Sequence, residues 1–111
     1  VSLRSPLCGS TIDVGLRIES GKVSEFGQSI KACALGQASA SVLAKNVIGK
    51  NNTDIQTVRD QLEAMLIKNG PPPLGVWEAL SALNPAKDAK PRHGAILLPF
   101  DAVLKGLEDL K

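Results

Sequence analysis

Residues 11–30 read TIDVGLRIESGKVSEFGQSI and have the pattern of a β-hairpin. Over residues 11–19, apolar and polar residues alternate strictly, which predicts a strand with one buried face. Ser20-Gly21 then provides a two-residue turn. Residues 22–30 return as a second strand, so this segment is expected to start an antiparallel sheet.

Two further features complete the predicted sheet. Val23 and Phe26 are three positions apart, so the second strand is expected to contain a β-bulge between them. Residues 1–7 are expected to add a third strand, and Pro6, which has no amide hydrogen, would confine that strand to the sheet edge.

After Cys33 the apolar period becomes helical. A first helix is predicted to end near Ile48, and its small residues Gly36 and Ala40 would let it lie close on the sheet. A second helix is expected to begin at residues 53–56, which have the spacing of a capping box.

The second half of the chain continues the helical pattern. Gly70 ends the second helix, and residues 74–91 are irregular apart from a short helix around Trp77. The last helix carries the strongest apolar stripe, and Pro99 either begins this helix or breaks its first turn. Strands followed by helices predict an α+β fold, in which a small antiparallel sheet of about three strands has helices packed on one face.

The composition indicates one globular domain over residues 1–111, with 43% hydrophobic and 22% charged residues. A net charge of +2 without a basic tract, together with two phenylalanines and one tryptophan, argues against nucleic-acid binding. No apolar run reaches the ~18 residues of a membrane span, and no signal peptide is visible, so a cytoplasmic location is predicted. Because the chain starts at Val1, we expect an N-terminal segment to be missing.

Three residues with the capacity for chemistry stand at junctions between predicted elements: Cys8, Cys33 and His93. Such junctions gather at one end of a sheet packed against helices. Thiolate and neutral imidazole are preferred ligands of zinc and of iron–sulfur centres. A thiol just before a helix faces unpaired amides, which favour the thiolate that binds metal and accepts sulfur. Arg92 would add positive charge nearby.

Simpler interpretations remain open for these residues. A lone cysteine is often a small buried apolar residue, and an isolated histidine is often hydrogen-bonded or on the surface. The two cysteines would form one disulfide in an exported protein, although reduced thiols fit the absence of a signal peptide better. Trp77 either anchors its loop onto the body or presents a partner surface.

Three segments resemble the NifU/IscU-type iron–sulfur cluster assembly scaffolds. S-P-L-C-G-S at 5–10 is similar to the family segment that carries Cys-Gly-Asp. A-C-A-L-G-Q-A-S-A-S at 32–41 resembles the second cysteine segment, and P-R-H-G-A-I-L at 91–97 resembles the third. The order of the segments and the lengths between them also match, and the resemblance implies a SufE/NifU-like fold.

The resemblance implies a scaffold, which is not an enzyme and has no catalytic residue. Cys8 and Cys33 take the places of the first two ligand cysteines and would accept sulfur from a cysteine desulfurase. His93 would join them in binding metal. The cargo would be a transient iron–sulfur cluster of the [2Fe–2S] type, with zinc able to take its place. The other partners would be the proteins that receive the cluster.

Departures from the family pattern leave the mechanism open. Gly94 stands where the third cysteine is expected, and Ser10 where the aspartate is expected. Ser10 is a weak candidate for the fourth ligand, because an unactivated hydroxyl is a poor metal ligand, and Ser10 and Arg92 would otherwise support the ligands. A [2Fe–2S] centre needs about four protein ligands, and the missing one would come from water, a partner or a second chain in a homodimer. The main alternative is a SufE-like sulfur acceptor or regulator that builds no cluster. A zinc-stabilised binding module that recognises partners around Trp77 is the third.

Overall fold

The hairpin predicted from the alternating residues is the centre of the fold. The computed structural model describes residues 1–4, 9–88, 90 and 93–109. Within them, antiparallel strands form a sheet in the order β1-β2-β3: Ser2–Arg4, Thr11–Glu19 and Lys22–Lys31. The second and third strands match the sequence prediction to within one residue, and β1 confirms the predicted edge strand.

The turn and the bulge of the hairpin are also where the sequence places them. Ser20 and Gly21 both have positive φ, 53° and 77°, as a two-residue turn that follows the strand twist requires. Arg17 pairs with Glu25 while the next residue of β2 pairs with Val23, so Ser24 is the additional residue of a β-bulge.

Helices cover one face of this sheet. Alternate β2 residues are buried beneath them, beginning with Ile12 and Val14, while Asp13 and Arg17 on the other face are exposed. The helix α3 contacts β1 and β2, and α1 contacts β3. This arrangement confirms the α+β prediction. The helical elements in chain order are α1 (Ala34–Asn46), α2 (Asn52–Ile67), a 3-10 helix (Gly75–Asp88) and α3 (His93–Asp109).

The N-terminus of α2 corrects the predicted capping box. Asn51, not Thr53, is the N-cap: its side chain accepts a hydrogen bond from the amide of Asp54 at 2.9 Å. The Asp54 carboxylate in turn accepts from the Asn51 amide at 3.1 Å. The helix begins earlier because asparagine is a stronger N-cap than threonine and because Asn51 also bridges to Lys22 of β3.

Two proline-containing regions are more regular than expected. The 3-10 helix Gly75–Asp88 replaces the irregular segment and the short helix predicted within it, with Pro85 inside. Pro99 neither begins α3 nor breaks its first turn, because it is the seventh residue of the helix, and the helix continues to Asp109.

The core lies between the sheet and the helices, and α3 is its centre. Helix α3 is buried along most of its length because apolar residues occur on nearly every side. The rings of Phe100 and Trp77 meet edge-to-face, with centroids 5.8 Å apart. Trp77 is only 8% exposed, so this residue anchors the 3-10 helix onto α3 and does not present its ring to a partner.

Over the part of the chain that the structure describes, no helix combines the length and the apolar character required to cross a membrane.

Candidate functional site

The end of the hairpin opposite its turn leads directly into the first candidate ligand. The last pair of the β2–β3 ladder is Thr11–Lys31, and the chain then passes through Ala32 to Cys33. Cys33 is the N-cap residue of α1, with extended backbone angles and a half-buried side chain. Ser10, which is buried, precedes the same ladder pair on β2. We call this end of the molecule, with the first turns of α1 and α3, the site end.

The geometry of Cys33 differs from the sequence expectation in one respect. The side chain makes no capping hydrogen bond to the amides of the first turn of α1. The helix start therefore acts on the thiol only through its dipole, which falls off within the first turn.

A direct contact between α1 and α3 brings the two other parts of the site end together. The Cβ that an alanine would have at Gly36 lies 3.3 Å from the Cβ of Ala95 and 3.2 Å from its carbonyl oxygen. Gly36 therefore makes room for α3, and the prediction that its small size serves contact with the sheet is wrong. Cys33 is three residues before Gly36 and His93 is two before Ala95, which correspond to about 4.5 Å and 3 Å along the helix axes. The contact thus lies within about one turn of the start of each helix.

His93 is the first residue of α3, at the junction that the sequence predicts, and it is only 8% exposed. Its Nε2 lies 2.9 Å from the carbonyl oxygen of Ala86 in the 3-10 helix. Because a carbonyl oxygen only accepts, Nε2 must carry the hydrogen, and the lone pair of the neutral ring is on Nδ1. Histidine ligands of metals are commonly oriented in this way, with the other nitrogen donating to a backbone carbonyl.

Two of the predicted site residues, Cys8 and Arg92, lie outside the described residues. Within the described residues, no three side chains of histidine, cysteine, aspartate or glutamate are grouped as a metal site. Of the predicted site residues that the structure describes, Cys33 is the N-cap of α1, His93 is the first residue of α3, and the buried Ser10 precedes the first residue of β2.

Sequence reasoning missed two groups at this end. Ser39 is fully buried and its Oγ donates to the carbonyl of Ile96 at 2.6 Å. The sequence pattern that could have identified Ser39 is a polar residue on the buried face of α1, between Gly36 and Leu43. The second group is the Ala86 carbonyl, and no side-chain pattern could have indicated it.

Comparison with known proteins places the chain in a family. No protein-family model matches it, and no curated protein matches it. Among solved structures, a nitrogen-fixing NifU-like protein (N-terminal) from Brucella abortus is 42% identical, with a TM-score of 0.92, over 99% of this chain and 78% of the other.

Two other structures share the fold at 20% identity. A hypothetical protein has a TM-score of 0.87 and matches 97% of this chain and 79% of its own. A protein from thermophilic Fervidobacterium islandicum, assigned as an iron–sulfur cluster assembly scaffold for the SUF system, has a TM-score of 0.80 over 97% of this chain and 76% of its own. Because the Brucella protein is 42% identical over nearly the whole chain, this chain belongs to the NifU-like family, within the NifU/IscU type that its cysteine and histidine segments resemble.

Proposed function

We propose that this chain is a scaffold for iron–sulfur cluster assembly that accepts sulfur and binds metal at its site end. The observation that supports the proposal is the contact of Gly36 with Ala95, which lies within about one turn of the helix starts that bear Cys33 and His93. Family membership supports the same function, since one fold-level neighbour is assigned as such a scaffold.

Cys33 is suited to receiving sulfur because it lies at a helix start and its side chain is only half-buried, so that a donor can reach it. The large core side chains around the helices, by contrast, are buried. Its thiolate would attack the outer sulfur of a persulfide on a cysteine desulfurase. A new sulfur–sulfur bond forms on Cys33 as the donor's own sulfur–sulfur bond breaks, and the donor cysteine leaves as a thiolate. Cys8, two residues before Ser10 in the sequence, would accept sulfur in the same way.

Metal binding would use the thiolates of Cys8 and Cys33 and the Nδ1 of His93. Thiolate and imidazole donors suit both zinc and iron–sulfur centres. Ser10 and Arg92 would support these ligands by hydrogen bonding and positive charge. Since a [2Fe–2S] cluster needs about four protein ligands, the cluster as cargo would take its remaining ligand from a partner or a second copy of the chain.

Gly94 favours a second candidate function, because a glycine in place of the third cysteine leaves the ligand set short. In that function the chain accepts sulfur through its thiols, or regulates a desulfurase, and builds no cluster. Recognition of partners through the Trp77 ring is not retained, because that ring packs against Phe100.

Anaerobic reconstitution with iron and sulfide tests the scaffold function directly. The chain is incubated at several concentrations, and absorbance, iron and sulfide per chain are measured. We expect partial occupancy that rises with protein concentration, because the ligand set is completed between molecules. A full cluster on the monomer would mean that a further ligand exists within the chain. Absence of any cluster, together with stimulation of a desulfurase, would instead establish the sulfur-acceptor function.

Zinc titration tests the ligands separately. Cys33→Ser, Cys8→Ser and His93→Ala should each weaken zinc binding, while Ser41→Ala, an exposed change on the same helix as Cys33, should not. Affinity should fall as the solution is acidified, because the ligands must lose protons to bind metal. Equal zinc affinity in the wild type and the His93→Ala variant would remove His93 from the site.

A further inference from the structure

Two small residues on the buried face of α1 hold the start of α3. Ser39 and Gly36 are one turn apart, and both are buried. Ser39 donates to the Ile96 carbonyl across 57 positions of sequence, and Gly36 contacts Ala95. Each of these contacts therefore connects the helix that begins at Cys33 with the helix that begins at His93.

Pro99 explains why the start of α3 depends on α1. A proline has no amide hydrogen, so Pro99 cannot donate to the carbonyl of Ala95, four residues earlier. The first turn of α3 thus lacks one of the hydrogen bonds that tie it to the rest of the helix. The Ala95 carbonyl faces Gly36, and the adjacent Ile96 carbonyl receives the Ser39 hydroxyl.

We propose that Gly36 and Ser39 are positioning residues, which set the placement of His93 relative to Cys33. This inference rests on the proposed metal- and sulfur-binding function of those two residues. Gly36 fixes how closely the helix starts approach, and Ser39 fixes their axial offset through one buried hydrogen bond. Neither residue is itself a ligand in this proposal.

The Gly36→Ala variant would disturb both sides of the site. Its new Cβ would lie 2.8 Å from the Cβ of Ala32, which adjoins Cys33, and 3.2 Å from the Ala95 carbonyl oxygen. At 2.8 Å an atom must move. Alanine is also the better helix former, so the gain in helix propensity partly offsets the cost of this displacement. We therefore expect the displacement to appear mainly in the geometry of the site and less in the free energy of unfolding.

Zinc affinity and the absorption spectrum of the cobalt(II)-loaded chain test the proposal. We expect Gly36→Ala and Ser39→Ala each to weaken zinc binding about 10-fold or more, the usual effect of removing support from a metal ligand. The cobalt spectrum should change in both variants, because it reports the number and geometry of the ligands and is insensitive to global stability.

Matched variants separate positioning from stability. Gly27→Ala adds the same methyl group to β3 with no atom within 4 Å, and Ser41→Ala removes the same hydroxyl from an exposed position of α1. Asn51→Ala removes the N-cap of α2 and should lower stability. Asn51 bridges to Lys22 at the far end of the hairpin, and Lys22 is about 30 Å from Lys31 along the ten-residue strand β3. All three should keep wild-type zinc affinity and cobalt spectra.

The outcomes distinguish this inference from the proposed function. If His93→Ala weakens zinc binding while Gly36→Ala and Ser39→Ala bind as the wild type does, the positioning role is wrong and the metal site stands. If the Asn51→Ala control loses affinity equally, the effect is one of stability and the positioning role is also wrong. If the wild-type chain binds no zinc or cobalt, the proposed function fails and this inference fails with it. Should Ser39→Ala not fold, Gly36→Ala decides the question alone.

Discussion

The two ends of the β2–β3 hairpin are held in different ways. At the turn end, which comprises Ser20-Gly21 and the N-terminus of α2, the turn and the helix cap are each formed by residues close in sequence, and backbone bonds from Lys22 and Val23 to residues 49–51 then join them. The positive φ values occur in adjacent residues, and the capping box joins Asn51 to Asp54. At the site end, the contacts join α1 to α3, and Ser39 reaches a carbonyl 57 residues away. Local chemistry therefore forms the turn and the cap at one end, while the contacts between α1 and α3 at the other end exist only once the whole chain is folded.

The largest effect is expected from truncating a core side chain of α3, the helix that packs against α1, α2 and β2. Phe100 is fully buried in α3 and packs against Trp77, so Phe100→Ala should lower the free energy of unfolding by about 3–5 kcal/mol. Chemical denaturation measures the loss, and hydrogen exchange shows where it acts. Amides at both ends should lose protection together. Loss of protection at the site end alone would show that the two ends unfold independently. Leu74→Ala, at a position 78% exposed, is the control.

A smaller effect is expected from backbone strain at the turn end. Gly21 has φ of 77° and open space around its Cα, so Gly21→Ala should cost about 1–2 kcal/mol from conformation alone. Denaturant unfolding checks this value. The backbone of Gly27 is not in the left-handed region, so Gly27→Ala should have little effect on stability. Zinc affinity should be unchanged in both variants. A loss of zinc binding in Gly21→Ala would mean that the two ends are coupled more strongly than the structure indicates.

The ion pair between α2 and α3 should contribute less. Arg59 Nε and Asp101 Oδ1 are 2.9 Å apart, but the Asp101 side chain is 39% exposed, so solvent screens the pair. A double-mutant cycle with Arg59→Met and Asp101→Asn should give a coupling free energy of about 0.2–1 kcal/mol that decreases at high salt. A coupling unaffected by salt would contradict an electrostatic origin.

The pH dependence of this arginine has a defined sign. Burial by itself would lower the pKa of Arg59, but the hydrogen bond and the charge of Asp101, together with Glu63, raise that pKa overall. A group whose pKa is raised by folding contributes stability below its unfolded pKa and loses it as the pH rises through the folded value. The guanidinium therefore contributes constantly through neutral pH and loses its effect only in strong alkali.

The smallest expected effect is at the exposed apolar residues of the 3-10 region. Leu74→Ala and Val76→Ala change side chains that are 78% and 56% exposed, so unfolding free energies should stay within about 0.5 kcal/mol of the wild type. Thermal unfolding of both variants checks this expectation. A larger loss would mean that these side chains pack more closely than their exposure indicates.

The sequence by itself determined the features that depend on neighbouring residues. Strand alternation, the Ser20-Gly21 turn and the bulge at Ser24 all follow from patterns a few residues long, and the structure confirms each of them. The resemblance of the cysteine and histidine segments also indicated the family. Cys8 and Arg92, which lie outside the described residues, stay predictions.

Only the tertiary structure decided how the site end is assembled. It placed Gly36 against α3 and not against the sheet, buried Ser39 beneath Ile96, and turned the His93 ring toward the Ala86 carbonyl. It also selected Asn51 over Thr53 as a helix cap, through a bridge to a distant strand. The period of apolar residues indicates which face of an element is buried, but not which other element packs against that face. That pairing depends on the packing of the whole chain, because the buried faces of all the helices compete for the same core.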